Sequence, residues 1–234
     1  MFEHPFELRI INEIKKHAKA EYPNECCGLI VDDEYVAMEN KAEDIIQDFR
    51  IDETDFIKYR KRVKCIIHSH ADYPHLSKTD MIQQIATKLP WGVAFIEKGV
   101  YEGTIFFGDQ VKPYPLKERQ FVHGAWDCYG MVRDYYRIER NITIPIFPRD
   151  NFWWEKDPSM LKNGCHQAGF DYIDQTQAKE GDAFFMQLKA QVVNHCGIYL
   201  GNGKILHHLY GRLSREEPLG RWTKYITDWV RYSG

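Results

Sequence analysis

The sequence has no CxxC pair, and its six cysteines (26, 27, 65, 128, 165 and 196) include two adjacent ones. That pattern suits neither a disulfide framework nor a zinc ribbon, so a reducing compartment at synthesis is expected. No stretch of about 18 apolar residues exists, so no membrane-spanning helix is expected. The start, Met1-Phe2-Glu3-His4-Pro5, lacks a basic region followed by an apolar run, and no secretory signal is expected. Excess positive charge is missing too: a formal net charge of −3 offers no electrostatic case for a nucleic-acid partner. What remains, 44% hydrophobic and 28% charged over 234 residues, is an ordinary globular balance that favours two small domains over one large one.

Met131–Arg140 contains no glycine or proline, and its apolar residues Met131, Val132, Tyr135 and Tyr136 recur at helical spacing. Asp127 is a fitting N-cap for that helix, which places Cys128 in the first turn. Unpaired N–H groups and the helix dipole favour thiolate over thiol there. A lone cysteine at a helix start is more often a small buried side chain than a nucleophile. The second half of the chain changes that balance. Asn194–Leu200, Gly201-Asn202-Gly203 and Lys204–Leu209 read as a β-hairpin. With a three-residue loop, Gly197 opposes His207, and His195 and His207 share one face as diagonal neighbours about 7–8 Å apart. A two-residue loop exchanges the roles of His207 and His208. Two histidines on one face, in a chain with a helix-start cysteine, suggest thiol chemistry in which one imidazole activates the sulfur and the other orients the first.

The first half carries a different set. Glu7–Ala20 has a helical pattern stopped by Tyr22-Pro23, and Leu29–Val31 reads as a buried strand just after Glu25. Val63–Ile67 is a second strand, running into His68-Ser69-His70, whose i and i+2 histidines point the same way on extended backbone. Ser77-x-x-Asp80 is a capping box ahead of a helix over Met81–Leu89. The same carboxylate beside two histidines completes a two-imidazole, one-carboxylate zinc set with a fourth position open. Trp91–Glu97 and Tyr101–Phe107 read as strands joined at Lys98-Gly99. Gly108–Arg119, with Pro113 and Pro115, reads as a linker. Pro145–Asp157 reads as a long ordered loop, Leu161–Ala168 as a short helix, and Gly181–Met186 as a turn feeding a strand.

Glu25, His68-x-His70 and Ser77-x-x-Asp80 resemble the JAMM (MPN-type) metalloproteases. The resemblance implies one Zn2+ on His68, His70 and Asp80, with Glu25 as general base and Ser77 stabilising the oxyanion. Ala71–Leu76 are six residues where that family usually has seven, which leaves His75 or Asp72 as alternative ligands. Asp127-Cys128-x-Gly130, Gly181-Asp182, His195-x-Gly197-Ile198-Tyr199-Leu200-Gly201 and a histidine twelve residues after His195 resemble the NlpC/P60 cysteine peptidases. Those are papain-like α+β domains that cut peptide stems of bacterial cell walls. The resemblance implies Cys128 as nucleophile, His195 as base and His207 as the orienting residue.

The expected architecture is therefore a two-domain α+β or α/β chain. A JAMM/MPN-like mixed β-sheet with helices occupies 1–108, a linker 109–118, and a papain-like NlpC/P60 α+β domain 119–234. The pairing is similar to the tail-tip assembly protein K family of long-tailed phages. It implies a peptidoglycan endopeptidase with peptide stems and other tail-tip proteins as partners. It also implies host cytoplasm during assembly and the virion tail tip afterwards. A structural assembly factor with vestigial sites and a thiol-dependent acyltransferase are the alternatives.

Overall fold

The computed structural model describes residues 5–234. The chain folds as two compact units. One runs through Leu76 and resumes over Ile82–Lys112; the other comprises Ser77–Met81 and Pro113–Gly234.

In the first unit, α1 (Leu8–Glu21) buries Ile10, Ile11, Ile14 and Ala18. That spacing makes one dry stripe on an otherwise polar helix, and each fully buried isoleucine stabilises by about 1.5–3 kcal/mol. Then come β1 (Cys27–Val31), β2 (Glu34–Met38), α2 (Glu53–Tyr59), β3 (Val63–Ala71), α3 (Lys78–Thr87), β4 (Trp91–Glu97) and β5 (Val100–Phe107). The five strands form one mixed sheet in the order β2-β1-β3-β4-β5. Only β3 and β4 run parallel, as the crossover between them allows. Strand β3 continues past the expected Val63–Ile67 through both histidines to Ala71. Its central position explains this: His68 pairs with Cys27 on one side and Val93 on the other, so the backbone stays extended despite polar side chains.

The second unit contains α4 (Cys128–Tyr135), α5 (Trp153–Lys156), α6 (Met160–Gln167), β6 (Phe170–Ile173), β7 (Ala183–Met186), β8 (His195–Tyr199), β9 (Lys204–His207), β10 (Arg215–Pro218) and β11 (Ile226–Tyr232). Helices precede an antiparallel sheet ordered β10-β9-β8-β7-β11-β6, the α+β arrangement expected. Met131, Val132 and Tyr135 of α4 pack with Cys196, Ile198, Leu206 and Val230 from the sheet. A smaller cluster of Phe184, Met186, Ile205 and Trp229 also draws on the sheet strands.

Two segments differ from expectation. The helix over Met131–Arg140 is α-helical only to Tyr135 and widens into a π turn over Tyr136–Arg140. The side chains of Tyr135 and Tyr136 are both buried there, and the Tyr136 hydroxyl donates to the Gly181 carbonyl at 2.6 Å. The Pro145–Asp157 loop includes the short helix α5. Arg119 is fully buried, donates to the Tyr114 and Pro115 carbonyls, and pairs with Asp134 at 2.6 Å, which pins residues 114–119 to the second unit.

Candidate active site and candidate metal centre

Asp127 is the N-cap of α4, and its carboxylate accepts from the Gly130 backbone N–H at 2.8 Å. A second carboxylate oxygen accepts from Gly124 N–H at 2.8 Å and from the Arg149 guanidinium. The turn is tight enough to require glycine at 130, where an added Cβ would lie 1.9 Å from the Ala125 carbonyl oxygen. This is the physical content of the Asp-Cys-x-Gly spacing: the cap and the close approach together fix Cys128 at the start of the helix. Of the six cysteines, Cys128 alone is part-exposed; the other five are buried.

The loop Gly201-Asn202-Gly203 has three residues, with Leu200 N–H donating to the Lys204 carbonyl at 2.9 Å. Gly197 accordingly opposes His207. Because Gly197 has no side chain, the rings of His195 and His207 meet across it, with His195 Nε2 and His207 Nδ1 3.2 Å apart. His208 follows just past the end of β9. Its Nε2–H donates to the Arg212 carbonyl at 3.1 Å, and its ring lies edge-on to Phe121. Cys128, His195, His208, Asn194 and Trp222 line a cleft of about 640 Å³ whose rim includes Phe152, Trp154 and Tyr210.

The electrostatics favour a charged sulfur. A hydrogen bond from the Cys196 thiol holds the Cys128 thiol well below its ordinary range; burial opposes this and His195 adds to it. The same contact, with burial, pushes Cys196 well up. Burial pushes the Asp127 carboxyl upward, but Arg149, His123 and the two backbone N–H groups outweigh it and hold it ionised. Burial lowers His207 to about 3, helped by His195 and opposed by Glu217. Burial also lowers His208, to about 4. Both rings are therefore neutral near pH 7.

In the first unit, Glu25, His68 and His70 are all buried, and one ligand atom from each lies within 4.8 Å of the others. His68 Nε2 and His70 Nε2 are 3.0 Å apart, and Glu25 Oε1 is 3.8 Å from His70 Nε2. The donor set fits a divalent transition metal. Two imidazole nitrogens bound tetrahedrally at about 2.0–2.1 Å stand roughly 3.3 Å apart, close to the spacing seen. His70 Nδ1–H donates to the His75 carbonyl at 2.6 Å, which leaves Nε2 with its lone pair toward the cluster. The Phe49 ring stacks on His68 at 4.4 Å. Ser77 and Asp80 form the reciprocal cap expected of them. The Asp80 carboxylate accepts from Ser77 N–H at 2.7 Å, and the Ser77 hydroxyl accepts from Asp80 N–H at 3.0 Å.

A sequence model of the NlpC/P60 family matches residues 117–231, and one of prokaryotic homologs of the JAB domain matches 7–104. The tail tip assembly protein K of Escherichia phage N15 is 34% identical over 234 residues, covering 96% of this chain and 94% of that protein. The chain belongs to the tail tip assembly protein K family. Tail tip assembly protein K of Escherichia phage lambda is 31% identical over 171 residues, covering 72% of this chain and 78% of that protein. Among solved structures, the NlpC/p60 domain of peptidoglycan hydrolase SagA aligns at 21% identity and a TM-score of 0.32. That alignment covers 45% of this chain and 76% of that one.

Three residues at the cysteine centre of this protein K family member escape sequence reasoning. Arg149 lies in an aperiodic loop 22 residues from its partner Asp127, and nothing local announces the pairing. Glu217 sits in a charged strand that reads as solvated surface. Cys196 carries a weak signal: it follows His195 directly, so strand alternation turns it toward the face on which α4 packs.

Proposed function

We propose that the second unit is a cysteine peptidase acting on the peptide stems of bacterial peptidoglycan from a phage tail tip. The observation that carries this reading is Cys128, capped at the start of α4 and lining one cleft with His195, whose Nε2 stands 3.2 Å from His207 Nδ1. The ionised Cys128 sulfur attacks the stem amide carbonyl, and the N-terminal N–H groups of α4 favour the negative charge that develops. His195 meets His207 through Nε2, which leaves Nδ1 to hold the thiol proton and pass it to the leaving amine. The resulting thioester is hydrolysed by water activated by the same nitrogen. His207 keeps the His195 ring in register throughout. The functional domains proposed are 1–108 and 119–234, with 109–118 between them.

We also propose a JAMM-type zinc site on His68, His70 and Asp80. When bound, zinc supplies Lewis-acid chemistry suited to amide hydrolysis. Glu25 takes the proton of the attacking water, and the Ser77 hydroxyl donates to the developing oxyanion. Other tail-tip proteins are the proposed assembly partners, with host cytoplasm before assembly and the tail tip after it.

Mass spectrometry of muropeptides after incubation tests the peptidase. Wild type is expected to release stem fragments that the Cys128→Ala variant does not; aminolysed rather than hydrolysed products would indicate acyl transfer instead. Elemental analysis of protein purified without added metal is expected to find about one zinc per chain. His70→Ala should remove it, while Glu25→Gln should retain it. Metal content below about a tenth of an equivalent that zinc addition does not restore would defeat the metal site.

A further inference from the structure

His207 is neutral at working pH, so it carries one ring proton, and the nitrogen holding it decides what His195 can do. For His195 Nδ1 to take the thiol proton, or to act as base on water once that proton has left, the ring's other proton must sit on Nε2 and be accepted by His207 Nδ1. His207 must then hold its proton on Nε2. In the opposite tautomer His207 Nδ1–H faces His195 Nε2, driving the His195 proton onto Nδ1, where the ring cannot act as a base. The arrangement is the wrong-tautomer failure known from triads that lose their carboxylate.

Several groups face His207. His195 lies on β8; Arg215 stands directly opposite on β10; Glu217 follows two residues on, on the same face; and the Trp222 ring meets His207 edge-on at 4.6 Å. Among the described residues, Glu217 is the one group placed to read the Nε2 proton. Its Oε2 lies 3.4 Å from His207 Nε2, an ion-pair distance that falls short of a formed hydrogen bond. Such contacts tighten when substrate closes a site. The carboxylate is held in place from both ends: Trp222 Nε1–H donates to Oε2, and the Arg215 guanidinium meets Oε1 at 2.6 Å. An ionised carboxylate only accepts, so it stabilises Nε2–H and repels a lone pair there.

We propose that Glu217 is a positioning residue of the cysteine centre, fixing the Nε2–H tautomer of His207 and through it the proton on His195. This role rests on the cysteine-peptidase reading of the centre. Neither Trp222 nor Arg215 can substitute, since both are donors. A glutamine at 217 has one acceptor oxygen for three donors, and its amide nitrogen opposes Arg215 in one orientation and both Trp222 and His207 in the other.

The test is nitrogen-15 imidazole NMR of the full-length chain, run beside muropeptide turnover. Wild-type His207 is expected as the Nε2–H tautomer. Glu217→Gln should shift it toward Nδ1–H and lower kcat about tenfold or more with KM within about twofold, the signature of a lost tautomer-fixing contact. Glu217→Asp, which keeps the charge, should recover part of the loss. Wild-type His207 found as Nδ1–H overturns the role outright, without any variant. So does a folded Glu217→Gln protein with unchanged tautomer and kcat within about twofold of wild type. The tautomer is read without substrate. Absence of turnover in wild type would therefore defeat the peptidase reading, while the Glu217→Gln spectrum still decides the role of Glu217.

Discussion

At pH 6.5, iodoacetamide is expected to label Cys128 at least a hundredfold faster than the other five cysteines. An unperturbed thiol with a pKa of about 8.5 is only about 1% thiolate at that pH. Burial raises Cys26 and Cys165 to about 11 and Cys27 to about 12 and pushes Cys65 well up, while the hydrogen bond to Cys128, with burial, pushes Cys196 well up. Their thiolate fractions at pH 6.5 fall below about one in 10⁴, and their sulfurs are buried as well. Cys128 is depressed instead, chiefly by the Cys196 thiol and then by His195. A low-pKa thiolate is intrinsically less nucleophilic, with a Brønsted slope of about 0.4–0.5, so its advantage over an ordinary exposed thiol is small. Against its buried neighbours the advantage remains large. His195→Ala should slow this labelling and lower turnover by about 10³ or more, since the base and the thiolate's partner go together. Cys196→Ala should move the labelling profile to higher pH without touching the base. Labelling of Cys128 no faster than Cys165 would mean that the resting sulfur is not activated, and a structural role in tail assembly would then be favoured.

The parts of this site legible in the sequence are those fixed by neighbours in the chain. Asp127 caps a helix one residue on, and Gly130 is needed because the turn folds back onto Ala125. The hairpin itself is legible, but the sequence leaves its loop at two or three residues; the three residues of the structure set Gly197 opposite His207. His68 and His70 share a face by strand alternation alone. What was not legible depends on sheet order. Strand β11, last in the chain, lies between β7 and β6, and no pattern in Ile226–Tyr232 states that. Likewise β10 pairs with β9 only because the turn after His208 brings it back, and that pairing alone delivers Glu217 to His207. Strand β2 and helix α2 escaped notice for a different reason: neither buries a residue fully, so neither shows a strong apolar period. The π turn after Tyr135 is invisible because its composition is that of an ordinary helix.

Acid destabilises the second unit well before its carboxylates protonate. Burial holds His207 at about 3 and His208 at about 4, while in the unfolded chain both titrate near 6.5. A histidine with a depressed folded pKa binds a proton more readily when unfolded. Its contribution to stability is therefore complete above about pH 6.5 and is lost as pH falls toward the folded value. Near pH 5 the unfolded chain holds roughly two more protons than the folded one, a slope of about 2.7 kcal/mol per pH unit. Asp127 acts later. Its carboxyl is depressed by Arg149 and His123 against the pull of burial, so its contribution is complete above about pH 4 and disappears only below that. Amide hydrogen exchange across β8 and β9 in urea, measured between pH 7.5 and 4.5, reports this sheet separately from the first unit. Stability should be nearly flat above pH 7 and fall steeply from about pH 6. His208→Gln keeps a side-chain N–H able to meet the Arg212 carbonyl but cannot titrate, and it should remove about one proton from the slope. A flat profile between pH 7 and 5 would show that both rings titrate normally in the folded chain. The neutral His207 on which the tautomer argument depends would then be lost as well.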